Sequence, residues 1–166
     1  MSDTKSNLEA AFAGESQANR KYLFFAEKAD AEGHKQVARL FRAAAEAETV
    51  HARNHLKALD GIKSTADNLQ AAVGGEHYEF TEMYPGFIQQ AGTEGEGDAE
   101  RSFDLANRVE KIHHGLFRSA LDNLQKGQAE GKTFYVCQVC GYTVEGEAPD
   151  KCPICGAAKK MFKAVE

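Results

Sequence analysis

Residues 45 to 55, AEAETVHARNH, read at first as a solvated helix of alanines, charges and good helix formers. Helical steps of three and four taken from Glu48 and His51 lead to Val37, Phe41, Ala44 and Leu59, a stripe expected to face a core. A glutamate and a histidine in the middle of such a stripe need a reason. The oddity also recurs: Phe103, Ala106, Glu110, His113, Ala120 and Leu121 repeat Phe41, Ala44, Glu48, His51, Ala58 and Leu59 at an offset of 62 residues. Upstream in each half, SNLEAAFAGE at 6–15 matches DNLQAAVGGE at 67–76 at an offset of 61.

Working outward from this repeat, the periodicity predicts helices over 4–32, 35–59, 66–92 and 98–126. Short connections at Gly33 and in TEGEGDAE make helices one and two, and three and four, antiparallel neighbours. The middle connection, LDGIKSTADN, is longer and can cross a bundle. Pro85 is expected to kink the third helix, because it lacks the N–H that would bond residue 81. The fold class expected is an all-α, ferritin-like four-helix bundle over residues 1–130, followed by a small β-rich metal domain over 131–166. The 166 residues, 42% hydrophobic and 27% charged, suffice for one core and such an appendage. A net charge of -5 without a basic run argues against nucleic acid as a partner. MSDTKSNLEAAF has no basic and apolar leader pattern, and no apolar run approaches the roughly 18 residues of a membrane span. A cytoplasmic location away from the membrane is therefore expected.

Each helical stripe is interrupted near its middle by acid. Helix one runs Leu8, Ala11, Phe12, Glu15, Ala18, Tyr22, Ala26, and helix three runs Leu69, Ala72, Val73, Glu76, Glu79, Met83, Phe87. Glu48 with His51 and Glu110 with His113 interrupt helices two and four. Five carboxylates at similar heights in one bundle would repel each other and lose several kcal/mol of hydration each unless cations sat among them. A lone GluxxHis is commonly a surface pair; the recurrence of acids on the apolar side of all four helices, at matched positions in a repeat, is what points to metal. One Glu from each of two helices (Glu15, Glu76) and a GluxxHis from each of the others match the ligand set of ferritin-like carboxylate proteins. This mixed oxygen and nitrogen shell suits iron or manganese. Glu79, one turn from Glu76, is a candidate extra ligand, and Glu82 is rotated off the face. Glu46, His34, His55, His77 and His114 read as solvated, although His114 can compete with His113. Tyr22 shares the face of Glu15, either as core packing or as a hydrogen-bond donor to a ligand carboxylate.

All four cysteines lie in FYVCQVCGYTVEGEAPDKCPICG, residues 134–156, as two CxxC knuckles. Four thiolates so spaced form a tetrahedral site for zinc or a single iron, and a domain of this size needs such a staple. Gly141 and Gly156 each follow a second cysteine, where a tight turn can aim N–H groups at sulfur. QKGQAEGKT, residues 125–133, reads as the linker.

The stretches AFAGESQANRKY, EAETVHA, GGEHYEFTEMYPGF, EKIHH and the two knuckles together resemble the rubrerythrins, over essentially the whole chain. The resemblance implies a non-haem di-iron peroxidase that reduces hydrogen peroxide to water in oxidative-stress defence, in anaerobic or microaerobic cells. It implies a di-iron centre held by Glu15, Glu48, His51, Glu76, Glu79, Glu110 and His113, with Glu48 and Glu110 bridging. One iron would move between Glu79 and His51 with redox state. Cys137, Cys140, Cys152 and Cys155 would hold a third, rubredoxin-like iron; the first knuckle lacks the proline that follows Cys152 in the second. An electron-donor protein such as rubredoxin, or an NAD(P)H-dependent reductase, would supply electrons. The working unit would be a homodimer or larger homo-oligomer. Because about 20 Å of helix separates the mid-helix site from the linker, transfer between chains is expected rather than within one. The rival reading is a ferritin-like ferroxidase or iron-binding protein with a structural zinc ribbon.

Overall fold

The computed structural model describes residues 3–128 and 131–165, so the expected domain boundary at 130/131 falls partly outside the described residues. The expected helical stretches and C-terminal β-structure are present. The chain forms two compact units, Met1–Lys63 and Ser64–Glu166.

In the first unit, α1 (Thr4–Ala31) and α2 (Lys35–Ala58) form a hairpin. Asp3 caps α1 by accepting from the Ser6 N–H, and Gly33, at φ 85°, makes the turn that no side-chain-bearing residue adopts easily. The contact between the helices is lined by Ala26, Ala29 and Ala38, with Phe41 packed against them, and by Ala45. This corrects the expected stripe. Ala38 is fully buried while Val37 is 47% exposed, because small residues let the two backbones approach and the acid-bearing face lies to one side.

The second unit begins with α3 (Thr65–Tyr78), capped by Ser64, whose hydroxyl accepts from the Asp67 N–H. The expected single third helix is broken: a π-helical turn, Glu79–Met83, leads into α4 (Tyr84–Glu94), with Pro85 in its first turn. A proline there loses no helical hydrogen bond that the first turn could have made, so the break replaces the expected kink. The turn also explains the two offsets. A π-turn accommodates one residue more than an α-turn, and the repeat reads 61 before it and 62 after it.

From α5 (Gly97–Gln125) the chain passes to an antiparallel sheet of order β2-β1-β3, with β1 Phe134–Cys137, β2 Thr143–Glu145 and β3 Phe162–Val165. Tyr142 and Phe162 meet edge-on, with ring centroids 6.3 Å apart. The cysteine domain is not perched at the end of α5. Strand β2 packs against α5, and a methyl group at Gly141 would stand 3.7 Å from Val109 Cγ1, in the middle of that helix. The helix length used to separate the two sites is therefore not the distance between them, because the sheet folds back along α5.

Candidate metal centres

Two clusters arise from one local rule: a Glu and a His three residues apart share a helix face, and the antiparallel neighbour adds one more Glu. In the first, His51 Nδ1 lies 2.8 Å from Glu48 Oε2 and 3.9 Å from Glu15 Oε1. In the second, His113 Nδ1 lies 2.7 Å from Glu110 Oε2 and 3.9 Å from Glu76 Oε1. The sequence repeat is thus a repeat of geometry. Donors about 2.1 Å from one ion stand about 3 to 4 Å apart, so both triads fit a divalent cation. Asn19 braces the first by donating to Ala45 O (2.7 Å) and Thr49 Oγ1 (2.9 Å) across the hairpin.

The histidines differ in what holds them. His51 is 52% exposed, and among the described residues its ring bonds only toward Glu48 and Glu15. His113 is 26% exposed and its Nε2 lies 2.9 Å from Thr143 Oγ1.

Electrostatics in the second cluster call for positive charge among its carboxylates. Burial, then the hydrogen bond and charge of Glu110, push the Glu76 carboxyl up to about 7. Burial opposes ionisation of Glu110 too, but hydrogen bonds from His113 and Glu76 hold it below the usual range. The His113 imidazole is raised, first by its bond to Glu110. Glu79, at the start of the π-turn, is outside the triad but feels it, its carboxyl raised by burial and then by Glu110. Glu82 is exposed.

Tyr22 packs against Phe25 and Phe41 at 6.4 and 6.0 Å, and among the described residues makes no hydrogen bond to Glu15 or Glu48. Its counterpart, Tyr84, was missed in the sequence. The 62-residue offset from Tyr22 would have found it, together with Phe87 and Phe103, which repeat Phe25 and Phe41. Burial and then the charge of Glu79 raise the Tyr84 phenol, which places it within the field of the second cluster. His114 departs from its solvated reading: it is half-buried, donates from Nδ1 to Val73 O at 3.1 Å, and stacks with Phe80 and His77. That bond turns it away from competing with His113.

In the third site, Cys137 Sγ lies 3.7 Å from Cys155 Sγ, and Cys140 Sγ lies 3.5 Å from Cys152 Sγ. Four sulfurs about 2.3 Å from one ion stand about 3.8 Å apart, so the set closes on a tetrahedral metal. No disulfide links them. Gly141 and Gly156, at φ 84° and 77°, donate to Cys137 O and Cys152 O and close the knuckles. Burial disfavours the Cys152 thiolate, yet the N–H groups of Cys155 and Ile154 bring its thiol down to about 7. Burial pushes Cys140 up, so the four cannot all ionise without a cation. No helix among the described residues is long and apolar enough to cross a membrane.

The rubrerythrin family model matches residues 6–121, and the rubrerythrin rubredoxin-like domain matches 135–163. Rubrerythrin-2 of Clostridium acetobutylicum is 38% identical, with 95% of this chain and 94% of that protein covered. Rubrerythrin of Nitratidesulfovibrio vulgaris is 36% identical, with 98% and 94% covered. Among solved structures, nigerythrin in a mixed-valence state is similar with a TM-score of 0.59 at 35% identity, covering 99% of this chain and 88% of that one.

Proposed function

Because the chain belongs to the rubrerythrin family of non-haem di-iron oxidoreductases with a rubredoxin-like domain, we propose that it reduces hydrogen peroxide to water in oxidative-stress defence. The observation that carries this reading is the pairing on one chain of two carboxylate and histidine triads with a separate four-sulfur site. When bound, an iron pair supplies both electrons to an O–O bond and a thiolate iron passes single electrons. Nigerythrin, which has been solved in mixed-valence and all-ferrous states, supports iron as the metal.

In this reading Glu15 and Glu48 would hold metal in the first cluster, and Glu76 and Glu110 in the second. His113, whose Nε2 is held by Thr143, would be a fixed ligand. His51 and Glu79, which lies outside the triad, would be the pair that exchanges with redox state, a role that the family resemblance implies and the exposure of His51 supports. Tyr22 and Tyr84 frame the two clusters with aromatic packing. Rubredoxin-type proteins, or an NAD(P)H-dependent reductase, act as donors. A cytoplasmic location is part of this reading, since cysteines clustered as metal ligands fit a reducing compartment. Association into a homodimer or larger oligomer would cover apolar side chains such as Phe24 and Leu40, 61% and 68% exposed.

The test is metal analysis and Mössbauer spectroscopy of protein from iron-rich cells, followed by mixing of the reduced protein with peroxide. Three irons per chain and fast oxidation by peroxide are expected. Zinc as the native occupant of the four-cysteine site, with slow peroxide turnover, would instead support the ferroxidase or iron-binding reading.

A further inference from the structure

The two knuckles of the four-cysteine site have different surroundings. Cys140, which ends the first, lines a cavity of about 270 Å³ with Val109, Glu110 and His113, so that knuckle faces α5. Cys137 and Cys152 are buried, which leaves Cys155 of the second knuckle as the half-buried thiol that does not line this cavity. The second knuckle stands on a closed base: Lys151 bridges to Ala158, the Cys152 N–H donates to Ala157 O at 2.8 Å, and the Lys159 N–H donates to Asp150 O at 3.0 Å. Lys151 therefore flanks the knuckle on one arm and Lys159 and Lys160 on the other, all three exposed. Among the described residues Lys151 and Lys160 have no ion pair, and Lys159 reaches Asp150 only at 4.0 Å. Pro153, in the loop that these arms carry, is exposed and gives it an apolar tip. The local charge runs against that of the chain: residues 131–165 hold five lysines and three acids, whereas the chain as a whole carries -5. Four thiolates around a ferrous or ferric ion are themselves net negative, so an acidic protein approaching Cys155 would be repelled unless cations flanked the site.

We propose that Lys151, Lys159 and Lys160 form the docking face for the electron donor, and that this donor is a small acidic protein carrying a one-electron centre. The proposal rests on the peroxidase reading, in which turnover needs such a donor. Lysines on both arms draw an acidic surface in from a distance and orient it over the second knuckle. The apolar contact at Pro153 is small, which suits a partner that must leave after each electron. On each encounter the partner loses one electron and the thiolate-held iron goes from ferric to ferrous, with no bond made and no proton moved. Two encounters supply the two electrons that, with two protons from solvent, turn one peroxide into two waters.

The test uses the full chain, zinc-loaded and ¹⁵N-labelled for binding and iron-loaded for kinetics, with a flavodoxin as the acidic one-electron probe. Amide shifts on adding oxidised flavodoxin are expected to cluster in residues 151–163 and to vanish at about 0.5 M salt. In stopped flow, reduced flavodoxin bleaches the ferric-thiolate colour. The triple variant Lys151→Glu, Lys159→Glu, Lys160→Glu is expected to slow this about 10- to 100-fold at low salt, and the difference should close as salt rises. Bleaching by the uncharged deazaflavin radical should be equal in the variant and the unmodified protein, which shows the iron site intact. A second triple of equal charge change, Lys5→Glu, Lys28→Glu and Lys57→Glu, lies on exposed positions of α1 and α2 and should keep most of the rate. Shifts confined to the helices, equal slowing in both triples, or a rate insensitive to salt would overturn the face. So would shifts at 151–163 that follow the protein's own concentration, or that a short DNA duplex produces at lower concentration, since the occupant would then be a second copy or a nucleic acid. Shifts and salt dependence as expected, with no turnover of peroxide, would uphold the face and reject the peroxidase reading.

Discussion

His51 and His113 occupy equivalent places in the repeat and differ in their second nitrogen, which makes them a natural pair for mutation. His51→Ala is expected to leave the oxidised di-iron spectrum nearly intact while lowering peroxide turnover about 10- to 100-fold. Glu48→Ala removes a proposed ligand and is expected to lose metal outright; equal metal loss in both variants would make His51 an ordinary ligand. Glu76 allows a pH prediction in the metal-free protein. Its folded value of about 7 lies above the ordinary 4.5, so its contribution to stability is present below 4.5 and is lost as pH rises through about 7. The raised His113 acts in the same direction, and Glu110, held low, titrates below this window. The melting temperature of chelator-treated protein should therefore fall from pH 5 to pH 8. Glu76→Gln should reduce that fall to the share of His113, and a fall of unchanged size in thermal melts would reject the assignment.

At the scale of elements, the π-turn is the structural expression of a one-residue discrepancy already visible between the two halves. Deleting Thr81 would convert it to α-helix and rotate everything after it by about 100°. Tyr84 and Phe87 would leave Phe103, which they now meet at 6.3 and 5.5 Å. Loss of these two ring pairs is expected to cost about 1 to 3 kcal/mol in urea denaturation. The deletion should also displace Glu79 and lower metal stoichiometry. A variant of full stability and metal content would show the turn to be a neutral insertion. The knuckles, by contrast, were legible residue for residue, because a CxxC turn is local and its chemistry is written in two adjacent turns.

At the scale of the whole molecule, the metals differ in what they support. The three-stranded sheet has little core beyond Tyr142, Phe162 and the buried Cys137 and Cys152, so removal of its metal should unfold it while α1 to α5 keep their helicity. Strong chelation followed by circular dichroism and amide exchange should show protection lost in residues 134–165 alone; loss across α5 as well would mean that the sheet and the helix fold as one. By itself the sequence determined the helices, their antiparallel neighbours, the two triads and the four-cysteine site. Each of these follows from a period of three to four residues or from a short spacing, and such patterns are properties of the local chain. Tertiary structure alone decided that alanines rather than Val37 form the α1–α2 contact and that Thr143 reaches His113. These contacts join residues far apart in the chain, where no periodicity connects them, and they depend on how closely two backbones can approach and on which way the sheet folds back along α5.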